Sequence, residues 1–166
     1  EVARAAVHAG AAAIVMHSLF EEQIVGEQIF SHRAMDLHAE SYPEALSYFP
    51  HPDEYVLGPD DYLEQLARIK KAVAVPVIGS LNGTTLGGWL EHARLIEEAG
   101  ADALELNLYS VAVDPGDDAE TLERTMTEMV REVRRSVAIP IAAKLSPFFT
   151  SLAHFAMRLV DNGAHG

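Results

Sequence analysis

The chain has 166 residues, 49% of them hydrophobic and 22% charged, which is enough to build a sizeable buried core. A formal net charge of −13 excludes the basic surface that non-specific nucleic-acid binding needs, so no nucleic-acid partner is expected. The absence of cysteine excludes disulfides, thiolate metal sites and a cysteine nucleophile. No apolar run approaches the ~20 residues of a membrane span and no signal peptide is evident, so the expected location is cytoplasmic, with no membrane partner.

In chain order, residues 1–9 read as the tail of a helix stopped by Gly10. The small-apolar run 11–18 suits a parallel strand buried on both faces. A long loop insertion at about 19–60 follows, carrying six aromatics and four prolines without sustained period, the composition of a lid or binding loop. Gly58-Pro59-Asp60 opens a helix through Lys71, with Tyr62, Leu66 and Ile69 on one face. Residues 75–81 form a second strand. Gly87-Gly88-Trp89 opens a helix running to Gly100, with Trp89, Ala93 and Ile96 facing inward. Residues 103–108 form a third strand, and an acidic turn at 111–118 ends on Asp118, a good helix N-cap. The next helix carries the core stripe Leu122, Met126, Met129, Val130 and Val133, so its methionines read as packing rather than ligand contacts. Residues 139–145 are a fourth strand, and a last helix spans about 150–162.

Two phrases recur through this series. Lys70-Lys71-Ala72-Val73-Ala74-Val75-Pro76-Val77 returns 64 residues later as Arg134-Arg135-Ser136-Val137-Ala138-Ile139-Pro140-Ile141. Ala99-Gly100-Ala101-Asp102 returns as Asn162-Gly163-Ala164-His165, and His8-Ala9-Gly10-Ala11 is an earlier copy. Each marks a helix ending and a buried strand beginning. Repetition with a period of two strand–helix units predicts an α/β fold, the (β/α)8 TIM barrel, present here as an incomplete fragment of about four βα units in a single domain. Right-handed crossovers are expected.

In such a barrel the strand ends carry the chemistry. Alternation along Leu104-Glu105-Leu106-Asn107-Leu108 turns the leucines to the helices and Glu105 and Asn107 into the barrel. In Ile141-Ala142-Ala143-Lys144-Leu145 the same rule turns Ala142 and Lys144 inward. The first strand adds His17 on the side of Ala13 and Val15, and the second adds Ser80 and Asn82. Such a polar cluster is what ligand binding looks like, against the alternative of a purely structural Glu105–Lys144 ion pair. His32, Asp36, His38 and Glu40 cluster in the long loop, but their spacing matches no metal signature and no metal is assigned. The glycine-rich stretch 82–88 lacks the lysine and spacing of a P-loop, although it offers backbone amides at a helix N-terminus.

Several of these segments together resemble the dihydroorotate dehydrogenase family of FMN-dependent barrels. They are Pro76-Val77-Ile78-Gly79-Ser80-Leu81-Asn82-Gly83, Ala99-Gly100-Ala101-Asp102-Ala103-Leu104-Glu105-Leu106-Asn107 and Ala143-Lys144-Leu145-Ser146-Pro147, with His17-Ser18-Leu19-Phe20-Glu21-Glu22-Gln23 and Leu57-Gly58-Pro59. The resemblance implies an FMN flavoprotein that oxidises dihydroorotate, or a similar cyclic anion, to orotate in de novo pyrimidine biosynthesis. A base removes one proton and a hydride passes to the flavin. By the same resemblance Lys144 is the lysine near the flavin's N1/O2 edge, and a fixed cation there would stabilise the reduced, anionic flavin. Asn107 matches an asparagine that bonds substrate beside the flavin. Ser110 matches the general base. Ser80, Asn82 and His17 match positions close to the cofactor. The chain departs from the pattern at His17, where better-known members carry lysine, and at Ala112, where they carry a second asparagine. Those departures keep open a related flavoenzyme with a different substrate, or a flavin- or phosphate-binding paralogue without catalysis. Oligomeric state is open, a homodimer among the options.

Overall fold

The computed structural model describes residues 1–20, 59–83, 85–109 and 114–166. The long loop from 21 to 58, with His32, Asp36, His38 and Glu40, lies outside the described residues, as do Ser110 and Ala112. The elements run α1 (Val2–His8), β1 (Ile14–Phe20), α2 (Pro59–Ala72), β2 (Val77–Asn82), α3 (Leu86–Glu98), β3 (Ala103–Leu108), α4 (Ala119–Ser136), β4 (Ile141–Leu145) and α5 (Leu152–Asp161). The strands form one sheet in the order β1-β2-β3-β4, every neighbouring pair parallel. These are consecutive βα units of barrel architecture. Among the described residues no helix is long and apolar enough to cross a membrane.

Strands β2 and β4 begin two residues later than the apolar runs suggest. The reason is Pro76 and Pro140, which have no N–H for the ladder. Their carbonyls still accept, from Ile14 N and Leu104 N, both at 2.9 Å. The recurring glycine closes each preceding helix in the left-handed region, with φ of 100° at Gly10, 96° at Gly100 and 109° at Gly163. The repeat extends to hydrogen bonds. Asp102 Oδ2 accepts from Val77 N at 2.7 Å, and at the equivalent place His165 Nδ1 accepts from Ile141 N at 3.2 Å. Lys70 grips Asp102 at 2.6 Å, whereas its counterpart Arg134 turns to the Val137 carbonyl at 2.7 Å.

The core lies between sheet and helices. Leu104, Leu106 and Leu108 of β3 and Val77 and Leu81 of β2 are buried there, with Trp89, Ala93 and Ile96 of α3 and Val130 and Val133 of α4. Packing is close at Gly79, where a Cβ would stand 2.3 Å from Ile96 Cγ2 and force that side chain to shift. Thr85, not a glycine, caps α3 by accepting from Gly88 N at 3.1 Å, while Asp118 caps α4 through Thr121 N at 2.9 Å. Met126 is buried and Met129 half-buried, both packed in this core.

One irregularity positions everything on the other face. Val15 pairs with Ile78 and Ser18 with Ser80, so β1 carries one residue more than β2 between those pairs. The bulge leaves the Ser80 N–H and C=O without ladder partners on that side. Tyr62, reaching in from α2, supplies both: its hydroxyl accepts from Ser80 N at 2.9 Å and donates to Ser80 O at 3.2 Å. Burial, with a smaller contribution from the Glu105 charge and against the opposing Ser80 bond, pushes the Tyr62 phenol up to about 12.

Replacing Tyr62 by Phe orphans two buried backbone groups, and urea unfolding of the full-length protein should show a loss of about 2–4 kcal/mol. The Lys70 bond to Asp102, aided by the Val77 amide, holds that carboxyl below its ordinary 3.8. Asp102 therefore favours the folded state fully above 3.8 and loses that contribution as pH falls through its lowered folded-state value. The stability gap between wild type and Lys70→Met should be constant above about pH 5 and close in more acid solution, read from unfolding curves across pH.

Candidate active site

On the inner face, near the C-terminal ends of the strands, five polar side chains meet. Register places Ser18 beside Ser80, Ser80 beside Glu105, and Asn107 beside Lys144. Ser80 Oγ donates to Glu105 Oε1 at 2.9 Å, and Ser18 and Ser80 hydroxyls lie 3.0 Å apart. Asn107 Nδ2 points at three acceptors: Ser18 Oγ at 2.8 Å, Ser80 Oγ at 3.1 Å and the Leu81 carbonyl at 3.2 Å. Ser80 and Asn107 are only 1% and 4% exposed.

These bonds have one consistent direction. Ser80 has a single hydroxyl proton and gives it to the carboxylate, so it meets Ser18 and Asn107 as an acceptor. Ser18 therefore donates to Ser80. Asn107 must turn its amino group inward, which leaves its carbonyl oxygen, Oδ1, buried and without a hydrogen-bond partner among the described residues. A buried acceptor left unpaired in an otherwise bonded network calls for an explanation.

Lys144 Nζ stands 3.3 Å from Glu105 Oε1 and 5.9 Å from the centre of the Tyr109 ring, which projects at the strand end. Asn82 shares the inner face, partly exposed and outside these bonds. His17 does not join the cluster. The bulge carries it off the inner face, so that its exposed ring meets Tyr62 edge-on, centroids 5.0 Å apart. Ser18 takes the inward place instead. Strict two-residue alternation cannot reveal an inserted residue, and no signal in β1 marks it. Tyr62 read as an ordinary member of an apolar helix face, because nothing local shows what its hydroxyl meets.

Comparison with known proteins decides the family. The sequence profile of the dihydroorotate dehydrogenase family matches residues 56–166. The chain belongs to the dihydroorotate dehydrogenase family. It is 31% identical over 104 residues to the catalytic subunit of dihydroorotate dehydrogenase B (NAD(+)) of Thermoplasma acidophilum, covering 60% of this chain and 33% of that protein. It is 38% identical over 106 residues to the subunit of the same name from Desulforudis audaxviator, covering 63% and 33%. Subunit PreA of the NAD-dependent dihydropyrimidine dehydrogenase of Escherichia coli K12 is 30% identical over 115 residues, covering 64% and 27%. The chain thus spans about a third of the length of the curated relatives it matches. Among solved structures, a dihydrodipicolinate synthase superposes with TM-score 0.56 at 15% identity, covering 97% of this chain and 44% of that one. A prophage protein of the dihydrodipicolinic acid synthase family from Escherichia coli K12 superposes with TM-score 0.57 at 18% identity, covering 98% and 43%. At that identity the likeness is one of barrel fold alone.

Ser80 sits at the centre of the network with three side-chain bonds, whereas Ser18 is half-buried with two. Ser80→Ala should therefore destabilise the full-length protein by about 1–3 kcal/mol, and Ser18→Ala by less, as measured by chemical denaturation.

Proposed function

We propose that this chain is part of an FMN-dependent oxidoreductase that oxidises dihydroorotate to orotate by proton abstraction and hydride transfer. One observation carries the reading: Asn107, whose buried amide oxygen has no hydrogen-bond partner among the described residues, is the register partner of Lys144 at the C-terminal ends of adjacent inner strands. The residues fit FMN chemically. An isoalloxazine ring presents an imide N–H, which an orphan acceptor suits, beside carbonyl and ring-nitrogen positions that a cation suits. Lys144, Asn107, Ser80 and Asn82 would hold it; His17, turned onto Tyr62, is left out of the set.

The chemistry FMN supplies when bound is acceptance of a hydride. The chain's own residues do the rest. Lys144 holds positive charge where negative charge develops, and does so from a fixed strand with no reorganisation. Asn107, its amino group occupied by two serines and a carbonyl, cannot rotate, so it orients whatever N–H it meets. Ser110, by family resemblance, is the residue that takes the substrate proton; a serine needs a desolvated surrounding for that task.

A second substrate has a specific observation in its favour, the similarity to a dihydropyrimidine dehydrogenase subunit. The absence at Ala112 of the family's second substrate-binding asparagine also favours a substrate other than dihydroorotate.

The full-length protein should purify yellow, and anaerobic dihydroorotate should bleach its flavin band. Bleaching only by a carboxylate-free dihydropyrimidine would move the substrate to the second reading. A colourless protein that takes up no added FMN would remove the flavoenzyme reading. In Lys144→Ala, flavin reduction should slow by about 10²-fold or more in stopped-flow, beyond any loss of binding.

A further inference from the structure

Lys144 and Glu105 are not register partners. Lys144 lies opposite Asn107, yet its ammonium reaches back along β3 to Glu105, and Asn107 Oδ1, without a partner among the described residues, receives nothing from it. Glu105 is the deeper of the pair, its side chain 18% exposed against 46% for Lys144. One oxygen, Oε1, takes both the Ser80 hydroxyl and the Lys144 ammonium. Two donors thus converge on one carboxyl oxygen, tying Ser80 and Lys144 to the same acceptor. Its charge is felt as far as the Tyr62 phenol.

Among the described residues the inward cation thus arrives already paired. Glu105 restrains the long lysine side chain, which alone would lose considerable rotamer freedom on ordering, and cancels the charge that Lys144 presents to a ligand. We propose that Glu105 is a positioning residue and counter-charge for Lys144, setting how strongly that lysine favours an anionic ligand or a reduced, anionic flavin. This rests on the flavin reading given above.

The midpoint potential of the bound flavin in the full-length holoprotein tests it. Glu105→Gln keeps the side-chain shape and removes the charge, leaving Lys144 uncompensated, so the potential should rise. The expected size is about tenfold in the flavin-reduction equilibrium, about 30 mV for a two-electron couple. Glu132→Gln removes a carboxylate that pairs with Arg135 on the outer helix α4, away from the inner face, and should not raise the potential. An unchanged or lowered potential in Glu105→Gln overturns the proposal, and so does an equal rise in Glu132→Gln. If Glu105→Gln fails to fold, Glu105→Asp draws the carboxylate back by one methylene and should give a smaller rise; no rise overturns the proposal. Wild-type protein that takes up no FMN fails the flavin reading instead. Lys144 is then read in the apoprotein by acetic anhydride labelling and mass spectrometry. Faster modification in Glu105→Gln supports the pairing role, and equal rates overturn it.

Discussion

The site rests on a break in the β1–β2 ladder and on the hydroxyl that fills it. An extra residue in β1 unpairs the backbone of Ser80, and a buried unpaired peptide group costs roughly 1–3 kcal/mol. The Tyr62 hydroxyl, able to donate and accept at once, is suited to repair both halves of that loss. The repair lets the bulge persist, and the bulge brings Ser18 round to the inner face beside Ser80. With Ser18 and Ser80 in place, the Asn107 amino group has its acceptors. A helix on the outside of the sheet therefore decides how an asparagine on the inside is oriented.

The inner face is economical with charge. The chain carries −13 overall, yet the described inner cluster holds one carboxylate and one ammonium bonded to each other. Such a pair contributes little to stability when partly exposed, because solvent screens it. Its value lies in arrangement: the carboxylate orders a run of hydroxyls in one direction and steadies the lysine at the strand end. The opposite, N-terminal ends of the strands use charge differently. Lys70, Asp102 and the Val77 amide close a helix-to-strand turn there, and His165 takes the aspartate's place one repeat later. Conserving the bond while changing the residue marks that end as structural.

Much of this was legible beforehand. The recurring Pro and Gly phrases identify the barrel units because each has a local physical cause: a ring without N–H at a strand start, and a backbone needing positive φ after a helix. The inward direction of Glu105, Asn107 and Lys144 followed from alternation, since β3 and β4 are regular and pair without a slip. Alternation gave the wrong inward residue in β1, where His17 was expected and Ser18 stands. A bulge is a relation between two strands, so it leaves no trace in either one read alone.

The sequence by itself determined the order and type of the elements, the parallel sheet, the buried stripes of α3 and α4, and the residue types available at the strand ends. All of these depend on neighbours within a turn or two, or on a repeat visible in one dimension. Only the tertiary structure decided that Tyr62 serves Ser80, that Asn107 faces its serines with nitrogen rather than oxygen, and that Lys144 reaches back to Glu105. Those choices are made between atoms 18, 27, 39 and 89 residues apart, where the number of protons each hydroxyl or amide can give must balance across strands that the chain brings together only on folding.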